Sequence, residues 1–193
     1  MLNIILMSGL KGSGKDFISE LVCDVFDGKI EQFSFAEPLK DIVATALGIS
    51  KEALDDFKNN EDLKIETNSY EAKYNLSTNA RELLQRFGTE GMKKWFGDDV
   101  WVRMLGERLP NNGTVIISDW RFPEEYTGLS KYGNVIKVKV EDLNLKPDSH
   151  ISENALKGFE YDFVIDNTAK NASILYTLKP FLDKIHSLMR VEA

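Results

Sequence analysis

Glycine and lysine residues near the N-terminus have the spacing of a phosphate-binding loop. They follow the pattern G-x-x-x-x-G-K, with an aspartate at the next position, which usually holds Ser or Thr. Glycines allow backbone angles closed to other residues, so successive N–H groups can turn towards phosphates while the lysine reaches the β and γ phosphates. The pattern predicts that a nucleoside triphosphate is held by Gly9, Lys11, Gly12, Ser13, Gly14, Lys15 and Asp16.

The elements on either side of this loop support the interpretation. Residues 3–7 are a short apolar run typical of a strand buried on both faces, and residues 16–26 have the apolar spacing of an amphipathic helix. A helix that begins directly after the loop adds its partial positive charge to an anion site. An ordinary glycine-rich turn is the alternative, but it does not require this strand, loop and helix context.

A second group of polar residues follows an apolar run at residues 114–118. Asp119 ends this predicted strand, where a carboxylate meets Mg²⁺ or its waters in many nucleotide-binding proteins. Arg121 points the same way as Asp119 if the chain stays extended, and Glu125 is spaced to orient its guanidinium. The alternative is an aspartate that caps the following helix.

Polar side chains also share one face of a helix predicted over residues 79–96, with Asn79 and Glu82 as its capping box. Helical spacing places on this face Arg81, Gln85, Gly88 and Thr89. The opposite, core-facing side is predicted to hold Leu83, Leu84 and Phe87. The polar face suits a phosphate at one end and a base or sugar at the other, and a solvated face is the alternative. Trp101 either stacks on a nucleobase or belongs to the core.

Strand and helix signals alternate along the chain, which predicts an α/β fold of three layers with a mostly parallel sheet between helices. Further strands are expected at residues 29–35, 134–140 and 163–165. Further helices are expected at residues 37–47, 51–57, 99–109, 122–131, 152–157 and 172–188. We expect a single domain over residues 1–193. The polar residues 58–78 are interpreted as an inserted loop or hairpin, with a disordered segment as the alternative.

Composition restricts the class of protein. The net charge of −7 opposes binding to nucleic-acid polymers, which depends on neutralising phosphates with Lys and Arg. The single cysteine, Cys23, lies among apolar positions of the first helix, so we expect a core thiol. No apolar run approaches the ~18 residues of a membrane span, and the chain starts directly with the first strand. We therefore expect a soluble cytoplasmic protein without a leader.

Five blocks of sequence, taken together, resemble the bacteriophage deoxynucleoside monophosphate kinase family. One is the loop that ends Gly14-Lys15-Asp16, and the others lie in the same order at residues 81–90, 99–103, 117–125 and 148–153. The resemblance implies a P-loop kinase fold that transfers the γ-phosphoryl group of ATP to a deoxynucleoside 5′-monophosphate, with Mg²⁺ as cofactor. For a phage enzyme it also implies a role in dNTP supply in the host cytoplasm.

The resemblance also implies roles for individual residues. Catalytic roles fall to Lys15, Asp16, Arg81 and Arg121. The monophosphate site would contain Arg81, Gln85, Gly88, Thr89, Trp101, Asp119, Arg121 and Glu125. Asp16 and Asp119 are the predicted magnesium ligands, with a proton-accepting role for Asp16 as the alternative. The sequence departs from the family at Phe17, where many relatives have Thr, and at Glu82, where a basic residue would be unsurprising.

Two segments of the chain, and its function, each have more than one interpretation. Residues 144–158 are interpreted as a lid, in which His150 bonds a helix start or takes part in catalysis. Residues 166–168 are either a contact for adenine or an ordinary turn. A phosphomevalonate-type kinase and a non-catalytic nucleotide switch are the alternative functions. Base preference, sugar preference and oligomeric state, including a homodimer, are not determined by these patterns.

Overall fold

The computed structural model describes residues 1–59, 65–66, 77–78, 80–146, 151–170 and 174–190. Contacts between Cα atoms divide the chain into two compact units. The sheet unit comprises residues 1–35 and 105–193, and the helical unit comprises residues 36–104. The expectation of one domain over residues 1–193 stays a prediction, and the two units are described one at a time.

A five-stranded sheet forms the centre of the sheet unit. Its strands lie in the spatial order β2 (Ile30–Phe33), β5 (Gly113–Ile117), β1 (Leu2–Ser8), β6 (Asn134–Glu141) and β7 (Phe163–Asp166). Every neighbouring pair is parallel, and Ile5 in the central strand lies opposite Ile116 on one side and Ile136 on the other. Parallel strands bring all their carboxyl ends to one edge, where ligands bind in such sheets.

Helices cover both faces of this sheet. On one face, α1 (Lys15–Val25) and α9 (Ile174–Arg190) contribute Ile18, Val22, Leu178 and Phe181 to a buried apolar cluster. On the other face, α7 (Pro123–Leu129) buries Leu129, and its Tyr126 ring packs 6.3 Å from the ring of Trp120. Side chains of a strand alternate between faces, so β strands buried on both faces need near-continuous apolar sequences. The predicted α/β fold with three layers is therefore confirmed.

Helices dominate the helical unit. They are α2 (Ala36–Leu47), α3 (Lys51–Asn59), α4 (Ala80–Gln85), a π-helix (Arg86–Lys93), α5 (Lys94–Phe96) and the first turn of α6 (Val100–Gly106). Leu54 and Leu84 are buried in its apolar cluster, with Leu83 and Phe87 packed against them. This confirms the predicted core side of the long helix. The short strands β3 (Ile65–Glu66) and β4 (Ser77–Thr78) pair antiparallel.

Several helices differ from the prediction in length or type. The helix expected over residues 99–109 ends at Gly106. Beyond Gly106, the N–H groups of Arg108 and Leu109 bond carbonyls three residues back, which is the tighter spacing of a turn. The helix expected over residues 79–96 changes from α to π at Arg86, and Asn79, its expected cap, lies outside the described residues. The remaining helix α8 (Ile151–Asn154) is shorter than expected.

Among the helices that the structure describes, none has both the length and the apolar composition needed to cross a bilayer.

Candidate functional site

Four carbonyl groups of the loop between β1 and α1 accept hydrogen bonds, two of them from side chains outside the loop and helix. The carbonyls that accept hydrogen bonds are those of Gly9, Leu10, Ser13 and Gly14. Their donors, in the same order, are Arg121 Nη1 at 3.3 Å, Ser13 N at 3.0 Å, Asn167 Nδ2 at 2.8 Å and Ile18 N at 2.9 Å. Across a trans peptide the C=O and the following N–H point in opposite directions. The N–H groups that follow these carbonyls therefore face away from the partners, as an anion site requires.

Two glycines allow this loop shape. Gly12 has a φ of 83° and Gly14 a φ of 87°, in the left-handed region that L side chains rarely adopt. α1 begins at the residue after Gly14, so its N-terminus adjoins the loop. The strand, loop and helix context predicted for Gly9 to Lys15 is present.

A polar side chain inside the loop is buried without a hydrogen bond. Ser13 is 1 % exposed, and among the described residues its hydroxyl oxygen has no partner. Lys15 is 6 % exposed, and its Nζ lies 3.9 Å from Asp16 Oδ2. A buried hydroxyl with no partner costs free energy. A phosphate at the loop would supply an acceptor for that hydroxyl and a counter-charge for the lysine.

Asn167 is a site residue whose contact the sequence did not predict. It follows β7 directly, is 6 % exposed, and donates from Nδ2 to the carbonyl of Ser13. Residues 166–168 were expected to be an adenine contact or an ordinary turn. Thr168 N does donate to Asp166 Oδ1 at 2.8 Å, which forms a turn, but the side chain between them reaches the phosphate loop. The only sequence signal was a polar residue at the end of a parallel strand.

Asp119 lies after β5, at the carboxyl edge of the sheet. It is half-buried, and its Oδ1 accepts a hydrogen bond from Phe35 N at 2.8 Å. The residue at the N-cap of α7 is Phe122, so the helix-capping alternative for Asp119 is wrong. The bond from Phe35 fixes the carboxylate between the ends of β5 and β2, which pair in parallel. Its predicted contact with magnesium stays a prediction.

Glu125 holds the backbone of the segment that carries Arg121. Its carboxylate is 3 % exposed, and Oε2 accepts from Arg121 N at 2.8 Å and from Phe122 N at 3.0 Å. We expected Glu125 to orient the guanidinium of Arg121. These two bonds anchor the main chain, and the guanidinium donates from Nη1 to the carbonyl of Gly9. Arg121 is thereby fixed at the start of the phosphate loop. Orientation of the guanidinium by Glu125 stays a prediction.

The predicted magnesium ligands suit that ion. The carboxylate of Asp16 is 68 % exposed, in the first turn of α1. No cluster of three or more candidate metal-ligating side chains occurs in the part of the chain that the structure describes. Mg²⁺ typically uses one or two carboxylates and completes its shell with phosphates and waters. Asp16 and Asp119 fit that requirement by chemistry. Phe17 is 58 % exposed and adds no hydroxyl.

A cavity of about 600 Å³ opens beside the phosphate loop in the sheet unit. Gly9, Leu10 and Arg121 line one side, and the end of β6 and residues 152–161 line the other. Cavities that hold small ligands fall in this range of volume. Burial raises the pKa of Tyr161 in its wall, so this phenol is a neutral hydrogen-bond donor at physiological pH. The lid predicted over residues 144–158 contributes to the wall, although His150 lies outside the described residues.

The polar face predicted in the helical unit is altered by the π-helix. A π-helix bonds residue i to i+5, so more residues fill each turn than in an α-helix and the face shifts after Gln85. Arg81, Gln85 and Thr89 are half-buried, while Gly88 turns into the core. A Cβ at Gly88 would lie 3.0 Å from Leu39 Cδ2, so Gly88 belongs to the packing and not to the predicted polar face. Among the described residues, Arg81 Nε is buried without a hydrogen-bond partner.

Trp101 is buried against this π-helix. Its side chain is 5 % exposed, and Nε1 donates to the carbonyl of Gly88 at 3.2 Å. This geometry supports the core alternative, in which the indole braces the helix. Stacking on a nucleobase stays a prediction. Asp99 pairs with Arg103, and Arg103 Nη2 also donates to the carbonyl of Phe96 at 2.9 Å.

The predicted site residues therefore divide between the units. In the sheet unit, contacts join Gly9 to Arg121 and Ser13 to Asn167. In the helical unit, a contact joins Gly88 to Trp101.

The family model described as deoxynucleotide monophosphate kinase matches residues 45–177. A search of curated proteins found no match. Among solved structures, a gluconokinase from Sinorhizobium meliloti 1021 is 14 % identical, with a TM-score of 0.49 and coverage of 97 % of this chain and 94 % of that one. A sugar kinase from Janibacter sp. HTCC2649 is 16 % identical, with a TM-score of 0.45 and coverage of 95 % and 93 %.

The shikimate kinase from Bacteroides thetaiotaomicron is 11 % identical, with a TM-score of 0.40 and coverage of 98 % of each chain. The family match spans more than half of the 193 residues and starts after the phosphate loop. The loop is thus an independent observation that agrees with the family. The family model and the residues that it covers identify this chain as a member of the deoxynucleotide monophosphate kinase family.

Proposed function

We propose that this protein transfers the γ-phosphoryl group of ATP to a deoxynucleoside 5′-monophosphate and releases ADP and the diphosphate. The observation that carries the proposal is the phosphate loop. The side chains of Arg121 and Asn167 bond the carbonyls of Gly9 and Ser13, and the Ser13 hydroxyl is buried without a hydrogen-bond partner among the described residues. This is the arrangement expected of a site built for a bound anion. Family membership supports the kinase reaction and the nucleotide substrate.

The sheet unit supplies the groups that we assign to ATP. Lys15, buried to 6 % exposure at the start of α1, contacts the β and γ phosphates, and Ser13 donates its hydroxyl to a phosphate oxygen. Phosphoryl transfer depends on positioning and charge neutralisation more than on covalent help. Arg121, held by Glu125 and Gly9 at the edge of the loop, contributes a fixed positive charge. The cavity of about 600 Å³ beside Gly9 has room for further parts of a nucleotide.

Asp16 and Asp119 are assigned to magnesium. These carboxylates would hold a Mg²⁺ ion, which would neutralise charge on the phosphates of ATP during transfer. Asp16 is exposed beside Lys15, and Asp119 is held by the N–H of Phe35. We assign a ligand role rather than a proton-accepting role to Asp16 because the acceptor is already a phosphate oxyanion.

The helical unit supplies the groups that we assign to the monophosphate. The guanidinium of Arg81 is half-buried and its Nε has no hydrogen-bond partner among the described residues, so a phosphate would complete it. Gln85 and Thr89 are assigned to the base or sugar. Trp101 and Gly88 support this helix from within the unit. An enzyme with these substrates would act in the cytoplasm, and in a phage-infected cell it would feed DNA synthesis.

An ADP-release assay with a panel of acceptors tests the proposal. ATP and Mg²⁺ are supplied with dAMP, dCMP, dGMP or dTMP, with the ribonucleotides in parallel and with phosphomevalonate as a separate acceptor. We expect ADP formation with at least one deoxynucleoside monophosphate and none with phosphomevalonate. Turnover of phosphomevalonate alone would assign a different small-molecule kinase. ATP binding without turnover of any acceptor would assign a nucleotide switch.

Matched variants test the two groups of residues. Lys15→Met removes the buried lysine of the loop, and Lys29→Met removes an exposed lysine in the turn after α1. Arg81→Ala removes the half-buried guanidinium of the predicted monophosphate site. Its control is Arg86→Ala, which removes an arginine side chain that is 62 % exposed. We expect Lys15→Met to lower kcat by orders of magnitude and Arg81→Ala to raise the KM of the acceptor. Equal effects of a variant and its control would contradict the assignment.

A further inference from the structure

We propose that Asn167 is a positioning residue of the phosphate loop: its side-chain amide holds the Ser13 carbonyl outwards and so points the Gly14 N–H towards the bound phosphates. The proposal rests on the proposed function, because it assigns the loop to ATP. Asn167 itself does not touch the nucleotide in this scheme. It acts through the peptide group between Ser13 and Gly14.

The contact is short, buried and closely packed. Asn167 Nδ2 lies 2.8 Å from Ser13 O, and Asn167 is 6 % exposed. A Cβ added to Gly14 would lie only 2.3 Å from Nδ2 of Asn167, so the amide packs directly against Gly14, which has a φ of 87°. Because C=O and N–H point in opposite directions across this trans peptide, a bond that fixes the Ser13 carbonyl also fixes the direction of the Gly14 N–H.

The backbone of Asn167 is itself held in place. Its N–H donates to the carbonyl of Glu141 at 2.8 Å, and its carbonyl accepts from Lys170 N at 3.2 Å. Lys170 Nζ forms an ion pair with Asp142 Oδ2 at 2.9 Å. Leu143 N donates to Thr168 Oγ1 at 3.0 Å. The segments that follow β6 and β7 are therefore joined into one platform, from which the Asn167 side chain extends to the loop.

The chemistry of the contact requires an amide of this length. A carboxylate at residue 167 has no proton to donate and would oppose both the Ser13 carbonyl and the phosphates. Leucine has nearly the same shape but no donor. Glutamine is longer by one methylene, and the distance of 2.3 Å between Nδ2 and a Cβ at Gly14 shows how little room the loop leaves. Asparagine alone of these residues satisfies the carbonyl within the available space.

The test compares Asn167→Asp and Asn167→Leu with Asn144→Ala. Asn144 belongs to the same platform, and its exposed side chain donates to the carbonyl of Thr168 at 3.5 Å without reaching the loop. Binding of a non-hydrolysable ATP analogue with Mg²⁺ is measured by calorimetry, and the KM values for ATP and for the acceptor are measured separately. Amide hydrogen exchange of a peptide covering residues 9–15 is followed without nucleotide, and thermal unfolding checks that each variant is folded.

We expect both Asn167 variants to bind the ATP analogue about tenfold more weakly or worse, since the buried Ser13 carbonyl loses its donor. The aspartate variant should be the weaker binder because it adds a negative charge. The acceptor KM should stay within about twofold, exchange in the loop should accelerate, and Asn144→Ala should resemble the wild type. A merely structural role would change stability without separating the two KM values.

Two results would overturn the inference. One is wild-type affinity for the ATP analogue in a folded Asn167→Asp variant. The other is unchanged hydrogen exchange in residues 9–15 of both variants. Failure of the wild type to bind the ATP analogue would overturn the proposed function instead, and the exchange measurement would still decide whether Asn167 holds the loop.

Discussion

Replacement of Glu125 by alanine tests how the segment that carries Arg121 is held. The carboxylate is 3 % exposed and accepts two backbone N–H groups, at 2.8 Å from Arg121 N and 3.0 Å from Phe122 N. A hydrogen bond to a charged group contributes about 1.5–3 kcal/mol. Two such bonds give an upper limit of about 6 kcal/mol. Both donors belong to half-buried residues, so water can bond the released N–H groups and reduce the cost.

We therefore expect Glu125→Ala to lower the free energy of unfolding by about 3 kcal/mol. For a chain of this size, about 2–4 °C in Tm accompanies each kcal/mol, so the Tm should fall by roughly 6–12 °C. Urea unfolding at pH 7 measures the free energy, and the ADP-release assay measures activity on the same samples. Turnover should fall more than stability alone explains, because the released main chain no longer holds the Arg121 guanidinium at Gly9.

Glu125→Gln separates two explanations of the same residue. Glutamine keeps an oxygen that can accept both backbone N–H groups, so this variant should lower the free energy of unfolding by only about 1 kcal/mol. If Glu125 acted mainly on the charge of the Arg121 guanidinium, loss of its own charge would be as damaging as truncation. Glu160→Ala, at an exposed position, controls for the removal of a carboxylate and should change stability by less than about 0.5 kcal/mol. Equal losses for the Gln and Ala variants would refute the backbone-anchoring explanation.

Three further changes have defined outcomes. Trp101→Phe keeps an aromatic ring but leaves the Gly88 carbonyl without its indole donor, so urea unfolding should show a loss of about 1–2 kcal/mol; a raised acceptor KM at unchanged stability would favour base stacking instead. The ion pair with Lys170 and the N–H of Asn144 lower the pKa of Asp142, so their stabilisation is present above the ordinary carboxyl pKa of about 3.9 and is lost as the pH falls through the lower folded value. Asp142→Asn should therefore lower the free energy of unfolding at pH 7 and make it fall less steeply below about pH 4. Urea unfolding at a series of pH values measures this. An unchanged fall below about pH 4 would contradict the assignment of this stabilisation to Asp142. Burial and the neighbouring Asp24 raise the pKa of Cys23, so alkylation by iodoacetamide at pH 7.5, followed by mass spectrometry, should be much slower than that of a free thiol; reaction at the rate of free cysteine would show that the thiol is accessible.

The elements of the sheet unit could be read from local patterns, because each strand and helix carries its own periodicity. The apolar run of β1 and the amphipathic spacing of α1 bracket the glycine loop, and the structure places them within two residues of the expected ends. The order of the strands, with β1 between β5 and β6, depends on which runs pair and is not written in any one of them. Family resemblance supplied that information indirectly.

The helix with the polar face shows where local periodicity fails. Its apolar side, with Leu83, Leu84 and Phe87, was predicted correctly because these side chains precede or begin the change in register. From Arg86 onwards the π-helix turns Gly88 into the core, where Leu39 approaches closely and Trp101 bonds its carbonyl. A π-helix has no reliable sequence signal, because the tertiary contacts that compensate for its poorer geometry are made by residues far along the chain.

The sequence by itself determined that a phosphate loop lies between a buried strand and a helix, since glycine spacing and lysine position are local properties. Only the tertiary structure decided what holds that loop in shape. Arg121 reaches Gly9 across 112 positions of the chain, and Asn167 reaches Ser13 across 154. Such bonds depend on parallel strands bringing their carboxyl ends to one edge, so a turn-like Asp-Asn-Thr sequence becomes a support for the loop only after the sheet has formed.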